Sequence, residues 1–306
     1  MHIPGSMLGG GVCPVTATVS AIGVAAAAYF ALRSQKKPAA ARFGAITALI
    51  FAGQMMNFPI SNGTSGHLLG GVLASVLMGT PFGVLSLSLV VAIQCIVFSD
   101  GGFVVLGANI FNMALIGAGL GGIIHSCLIK KSDSKPLNYV YIGIAAWVSV
   151  VLASVAVSFE LAMSGTIEFF KVIASMTGTH LLIGLGEALI TVGCCFLFAT
   201  DRNAATKKWN VAAPLAASTV IALMLSPFAS SFPDGLEWVA EKYRFLHESA
   251  PAFVSPLPDY TIPLLTNEIL STGLAGLIGV IITFCMAWII GKSMNTSIRN
   301  PDLMDS

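Results

Sequence analysis

Nine long apolar runs constrain the fold of this chain more than any other feature of its sequence. Charged residues make up 9% of the 306 residues and hydrophobic residues 56%, whereas a soluble domain carries about 25% charged residues. An α-helix needs about 20 apolar residues to cross a bilayer, and most of the runs approach that length. The sequence therefore predicts an all-α protein, a polytopic membrane helical bundle. The runs lie at about Pro14–Leu32, Phe43–Ile60, His67–Thr80, Phe82–Phe98, Val104–Ile129, Tyr139–Leu161, Thr179–Ala199, Val211–Phe228 and Glu268–Ile290.

The distribution of basic residues predicts the orientation of the bundle. The loops after the first, fifth, seventh and ninth runs hold twelve of the fifteen Lys and Arg residues, while Lys171, Lys242 and Arg244 lie on the opposite side. By the positive-inside rule the basic loops face the cytoplasm. We therefore expect an N-terminus outside and a C-terminus inside, in the cell inner (plasma) membrane of a prokaryotic-type cell.

A polar linker divides the runs into two groups. The segment Asp201–Asn210 is the most polar of the internal loops, and domain boundaries fall in such segments. The sequence predicts a domain at residues 1–200 with a seven-helix core, and a second module at 201–306 with two additional transmembrane helices. An acidic external loop, Ser230–Tyr260, joins the last two runs. The short third and fourth runs meet at Gly79-Thr80-Pro81, which indicates a tight helical hairpin.

The first two residues can chelate a metal ion. No cleavable signal is apparent, so we expect Met1 to be retained. Met1 followed by His2 then offers the terminal amine, the His2 amide nitrogen and the His2 imidazole. An amide nitrogen gives up its proton only to a metal that favours a plane of nitrogens, and such a plane points to Ni(II) or Cu(II) rather than Zn, Mg or Ca.

His67 is the candidate for the fourth nitrogen donor. It ends the stretch Asn62-Gly63-Thr64-Ser65-Gly66-His67, whose small residues would let the amino terminus approach closely. With the N-terminus outside and an external turn before the third run, Met1, His2 and His67 lie on the same surface. The alternative is that His2 is a disordered terminal residue and that His67 caps the third helix.

Four further polar residues are candidates to hold the metal ligands by hydrogen bonds: Asn109, Asn112, His180 and Glu187. Polar residues inside a membrane are costly and usually satisfy something specific. Asn109 and Asn112 lie near the outer end of the fifth run, and interhelical hydrogen bonds explain them equally well. His180 and Glu187 lie two turns apart on one face of the seventh run, where the alternative role is polar packing.

Other classes of function find little support in the residues. The sequence Ile290-Gly291-Lys292-Ser293 lacks the leading glycine of a phosphate-binding loop, so ATP hydrolysis is not expected in this chain. No grouping of nucleophile, base and orienting residue rises above chance, so we expect no catalytic residues and no bound cofactor. The net charge of +1 gives no reason to expect nucleic acid. The expected surroundings are membrane lipid.

Several motifs in the same order resemble one family of membrane proteins. They are Met1-His2-Ile3-Pro4, Thr64-Ser65-Gly66-His67, Phe98-Ser99-Asp100-Gly101-Gly102, Ala108-Asn109-Ile110-Phe111-Asn112-Met113 and the stretch from Gly178 to Glu187. Over residues 1 to 200 the chain resembles the CbiM/NikM family, the substrate-capture (S) components of energy-coupling-factor nickel and cobalt importers. Pro233-Asp234-Gly235-Leu236-Glu237 and Pro258-Asp259-Tyr260 resemble the PDGLE-type NikN module, here fused behind the first domain.

The resemblance implies a transported substrate, Ni(II) or possibly Co(II), held by the Met1 amine, the His2 amide and imidazole, and His67. It also implies partners: a transmembrane coupling (T) subunit and cytoplasmic ATPase subunits that supply the energy. Two alternatives stay open. One is a secondary metal-cation transporter in which His180 and Glu187 bind or relay protons, and the other is a membrane metal sensor that transports nothing.

Overall fold

The computed structural model describes residues 1–61, 63–130, 134–198, 209–246 and 255–296. Within these ranges the chain is a bundle of helices with one two-stranded hairpin, which confirms the predicted all-α class. The helices are α1 (Val12–Arg33), α2 (Ala40–Gln54), α3 (Gly71–Met78), α4 (Thr80–Phe98), α5 (Leu106–Ile129), α6 (Lys135–Met163), α7 (Phe169–Phe198), α8 (Trp209–Val220, continuing in tighter and wider turns to Phe228), α9 (Gly235–Tyr243) and α10 (Glu268–Thr296). The strands are β1 (Asn57–Pro59) and β2 (Ser65–His67).

Seven of the described helices are long and apolar enough to cross a membrane: α1, α4, α5, α6, α7, α8 and α10. Large apolar side chains such as Phe30, Leu189 and Phe196 are exposed on these helices. In water such a surface would be unfavourable, whereas lipid accommodates it. The chain is therefore a multi-pass membrane protein.

The second and third predicted runs form helices shorter than the seven just named. The second run becomes α2 followed by β1, and the third begins inside β2 and continues as α3. At 1.5 Å per residue, α2 is about 22 Å long and α3 about 12 Å, which is shorter than the roughly 30 Å hydrocarbon core. Both are almost wholly buried by other helices, and a short helix is tolerated at that depth when protein surrounds it.

The predicted hairpin between the third and fourth runs is confirmed. Gly79 has φ +98°, a conformation that favours glycine, and it separates α3 from α4. The two helices then pack closely, since a Cβ atom on Gly83 would lie 2.3 Å from the Ser75 hydroxyl oxygen. This close packing carries the chain back toward the end of the bundle where it started.

The two ends of the bundle differ in character. At one end, Met1, the β-hairpin and α9 lie together. At the other, the Lys37 ammonium donates to the Met294 carbonyl at 2.9 Å and Arg42 donates to the Phe198 carbonyl at 3.3 Å. The described basic residues after α1 therefore lie at the end opposite Met1. The predicted domain boundary at residues 200 and 201 lies outside the described residues.

Candidate metal centre at the amino terminus

The amino-terminal segment is buried and fixed by hydrogen bonds. Met1, His2 and Ile3 are exposed by 5%, 8% and 0%. The main-chain nitrogen of Ile3 donates to the Asn109 side-chain oxygen at 2.8 Å, and the Asn109 amide nitrogen donates back to the Ile3 carbonyl at 3.2 Å. Gly102 donates a third bond to the same carbonyl at 3.0 Å. These contacts do not fit the alternative interpretation, in which His2 is a disordered terminal residue.

His67 lies against the terminal amine with its lone pair directed toward it. Its Nδ1 atom is 3.0 Å from the Leu68 carbonyl oxygen, which can only accept, so Nδ1 carries the proton. Nε2 therefore keeps the lone pair, and this atom contacts the Met1 nitrogen. Burial, followed by the positive charge of the amino terminus and of His2, lowers the pKa of His67 to about 3. The ring is neutral at physiological pH and available as a ligand.

The segment after His67 is held by two buried side chains. Both oxygens of the Glu187 carboxylate accept main-chain N–H bonds, from Leu69 at 2.5 Å and Gly70 at 2.9 Å. The Gln54 amide donates to the Leu69 carbonyl at 2.7 Å. The peptide that presents the Leu68 carbonyl to His67 is the same one whose N–H binds Glu187. Glu187 therefore orients the acceptor that selects the tautomer of His67.

The His2 ring stacks on the His67 ring, with centroids 5.3 Å apart and an interplanar angle of 20°. Its Nε2 is 3.0 Å from the Gln94 side-chain oxygen, and its Nδ1 is 3.2 Å from the Asp100 carboxylate. Burial lowers the pKa of His2, which favours the neutral ring. A neutral ring has one N–H for these two acceptors, and the tautomer that donates it to Gln94 is the one that frees the Nδ1 lone pair. Nδ1 is the nitrogen nearer to the main chain, as a chelate with the amide requires.

A carboxylate from the C-terminal third of the chain completes the surroundings of the amine. The Met1 nitrogen donates to Oδ2 of Asp234 at 2.7 Å, and the same oxygen lies 3.8 Å from Nε2 of His67. Burial alone would raise the pKa of Asp234, but the amino terminus and His67 hold it below its usual value. Asp234 is therefore ionised at the candidate metal site.

A cavity of about 10 Å³ lies beside the amine, which is room for roughly one water molecule. Its lining includes Met1, His67, Asp234 and His180. His180 is almost fully buried, and its Nδ1 donates to the Met176 carbonyl at 2.7 Å, so that Nε2 keeps its lone pair. His180 thus lies close to the predicted ligands without binding them.

The structure places the predicted residues unequally. Met1, His2 and His67 are brought together, Asn109 holds the adjacent main chain, and Glu187 holds the segment after His67. Asn112 instead donates to the Glu160 carboxylate at 2.7 Å within the bundle.

Three polar residues at the site were missed or undervalued from the sequence: Gln94, Asp100 and Asp234. The Asp100 carboxylate lies against His2 and accepts a 2.6 Å hydrogen bond from Tyr260. For Asp234 the available signal was the spacing Asp-x-x-Glu, which marks the start of a helix. That spacing predicts the helix, but not that the helix begins beside Met1.

The donors of this site are mostly not side chains of the usual metal-binding types. Within the described ranges, no group of three or more His, Cys, Asp or Glu residues is arranged to hold a metal ion. Here the terminal amine and the His2 amide are main-chain nitrogens, and only two imidazoles accompany them. The arrangement can offer four nitrogens, with the Asp234 carboxylate beside the amine and the Asp100 carboxylate beside His2.

Comparison with protein families identifies both halves of the chain. Residues 2–205 match a family described as "Cobalt uptake substrate-specific transmembrane region", CbiM. Residues 208–296 match the PDGLE domain.

Individual relatives agree with these matches. The chain is 32% identical over 97% of its length, and over all of the relative, to the "Putative fused nickel transport protein NikMN" of Archaeoglobus fulgidus. It is 27% identical to the fused nickel transport protein NikMN of Rhodobacter capsulatus, over 63% of this chain and 60% of that one. A crystal structure of a truncated transition metal transporter superposes on 65% of this chain and 98% of its own, with a TM-score of 0.58 and 27% identity.

Proposed function

Because the chain belongs to the CbiM family of nickel and cobalt transport proteins, we propose that it captures Ni(II), or Co(II), at the outer face of the cell inner membrane. The ligands in this proposal are the Met1 amine, the His2 amide and Nδ1 nitrogens, and Nε2 of His67. The observation that carries it is the buried contact between the terminal amine and the lone-pair nitrogen of His67.

The order of the nitrogens along the chain supports a planar complex. The Met1 amine, the His2 amide nitrogen and the His2 imidazole can form two fused chelate rings, and His67 approaches the amine from a separate loop. Planar four-nitrogen coordination suits Ni(II). Binding one divalent ion and releasing two protons, one from the ammonium and one from the amide, leaves the total charge of the site at +1. A neutral exchange of this kind is favourable in a buried site.

In this proposal the chain captures the metal ion, and other subunits supply the energy for its transport. As an S-component it would work with a transmembrane coupling subunit and cytoplasmic ATPases, since its own sequence has no phosphate-binding loop. The placement of the described basic loops at the end opposite Met1 supports an outside N-terminus and an inside C-terminus. We also propose that residues 1–200 form the metal-capture domain and residues 201–306 the NikN-like module.

The test is to move the amine. One residue added ahead of Met1 removes the terminal nitrogen from its position, and we expect high-affinity nickel binding to be lost. His67→Ala should have the same effect, whereas His125→Ala, which removes a histidine of α5 bonded to Asn138, should bind normally. Binding is measured by calorimetry and by the visible band of diamagnetic planar nickel. Unchanged binding by the extended protein would contradict the ligand assignment.

The two alternatives differ in what they transport and how. A secondary transporter would accumulate nickel in vesicles without ATPase partners and would stop when an uncoupler is added. A sensor would bind nickel but would not accumulate it even with the partners present. ATP-dependent accumulation in vesicles that contain the coupling and ATPase subunits is the outcome expected from the proposed function.

A further inference from the structure

The sequence Pro233–Glu237 has a structural explanation in the start of α9. Oδ1 of Asp234 accepts the main-chain N–H groups of Leu236 at 2.8 Å and Glu237 at 2.9 Å. The Glu237 carboxylate accepts in return from the Asp234 main-chain nitrogen at 3.1 Å. This reciprocal pair is a capping box, which satisfies the free N–H groups at a helix start. The cap uses only one oxygen of Asp234.

The other oxygen of Asp234 reaches the terminal amine. Oδ2 accepts the 2.7 Å bond from the Met1 nitrogen, and Asp234 is only 12% exposed. The approach is fixed by the main chain, because Ser65 donates from its nitrogen to the Pro233 carbonyl at 2.9 Å and from its hydroxyl to the Phe232 carbonyl at 2.8 Å. The segment before α9 thereby lies beside β2, the strand that ends in His67.

The side of α9 that packs against α7 also holds Asp234 in place. Leu236, Val239 and Ala240 are fully buried and belong to one apolar cluster with residues of α7. The Tyr243 and Ser175 hydroxyl groups are 2.9 Å apart. Asp234 is therefore held from three directions, by its own helix, by β2 and by α7.

We propose that Asp234 is a positioning residue for the Met1 amine, so that the PDGLE module completes the metal site of the CbiM domain. This inference rests on the proposed function. A metal-bound amine still has two hydrogen atoms, and one of them can remain bonded to Asp234 while the lone pair faces the metal. A carboxylate that accepts a hydrogen bond from a metal ligand fixes the orientation of that ligand and makes it a better donor, as it does for metal-bound histidines.

The charge of Asp234 serves the free and the loaded site equally. The free amine is an ammonium ion of charge +1, and the loaded planar complex also carries +1. One fixed carboxylate balances both, so that no buried charge is left unpaired when the metal enters or leaves. Asp100 does not duplicate this role, because its carboxylate is engaged by His2 and Tyr260.

The decisive variant is Asp234→Asn in the full chain. Asn is as good an N-cap as Asp, so the start of α9 is kept while the negative charge at the amine is removed. We expect the dissociation constant for Ni(II) to rise about 10–100-fold, the range found for partners that orient metal ligands. The visible band of planar nickel should also shift. Asp234→Ser, a capping residue too short to reach the amine, should behave in the same way.

Glu237→Gln is the matched control. It removes a charge from the same capping box but keeps a side chain that can complete it, and Glu237 makes no contact with the amine that the structure shows. Nickel affinity of this variant should stay within about twofold of wild type, and its planar nickel band should not shift. A merely structural role for Asp234 would lower the melting temperature of the Asp234→Asn protein without shifting its nickel band.

The outcomes separate this inference from the proposed function. Equal nickel affinity in Asp234→Asn and wild type would overturn the positioning role, and tighter binding would show that Asp234 competes with the metal for the amine. Either result leaves the ligands in place if wild type binds nickel and the N-terminally extended protein does not. Failure of wild type to bind, or normal binding by the extended protein, would overturn the proposed function itself.

Discussion

The two partners of the Met1 amine, His67 and Asp234, are held in different ways. His67 ends the second strand of a short hairpin, and the peptide next to it is bound by Glu187 from α7, a helix of the membrane bundle. Asp234 is fixed by the cap of α9, a nine-residue helix outside the membrane spans. His67 brings a neutral nitrogen and Asp234 a negative charge. The difference teaches that one region supplies the geometry of the site and another supplies its charge balance.

The pH dependence of nickel binding tests whether the Met1 ammonium, which is paired with Asp234, must lose a proton before the amine binds metal beside His67. Below about pH 7 we expect nickel affinity to fall about a hundredfold for each pH unit, because each ion displaces one proton from the amine and one from the amide. His67 contributes no proton, since its pKa is lowered to about 3 and the ring is already neutral. The measurement is the dissociation constant at several pH values. A tenfold change per unit would show that the amide keeps its proton.

Glu187→Gln tests the part of the comparison that concerns geometry. A glutamine has one acceptor oxygen for two main-chain N–H groups, so the segment after His67 loses a bond and the His67 ring loses its fixed tautomer. We expect nickel affinity to fall about 10–100-fold. Glu160→Gln is the control, because Glu160 is also a buried carboxylate but binds Asn112 instead. Equal loss of affinity in both variants would indicate a general effect of losing a buried charge.

Gly235→Ala tests how precisely α9 must be placed and should have the smallest effect. A Cβ atom there would lie 2.7 Å from the Ile183 Cδ1 atom and 2.8 Å from the His180 ring. The flexible end of Ile183 can move, so we expect a shift of Asp234 and a loss of nickel affinity of about threefold, well below the cost of removing a ligand. Gly178→Ala in α7 is the control, since a Cβ atom there meets nothing within 4 Å. Calorimetry on both variants compares them directly.

The helices could be predicted from the sequence wherever the apolar run was long enough to cross a bilayer alone. For the second and third runs the sequence did not predict how short the helices are, because hydropathy does not distinguish a helix surrounded by lipid from one surrounded by protein. In α2 and α3 the apolar side chains face other helices. The residues between α2 and α3 form the hairpin that ends in His67.

Part of the candidate site could also be predicted. Met1 and His2 are adjacent in sequence, and His67 follows from counting crossings. Gln94 and Asp234 could not be found in this way because their roles depend on contacts between residues 92 and 233 positions apart. Local patterns identify a helix cap or a polar residue in an apolar run. They carry no information about which distant group the remaining oxygen of that residue will meet.

The bond between Ser65 and Pro233 joins the two halves of one polypeptide. Covalent linkage keeps such a pair of segments at a high effective concentration, on the order of millimolar for a short flexible linker. Two separate polypeptides would have to associate before the same contact could form, and its occupancy would depend on how much of each the cell makes. Fusion removes that dependence and fixes the stoichiometry at one acidic segment for every amino terminus.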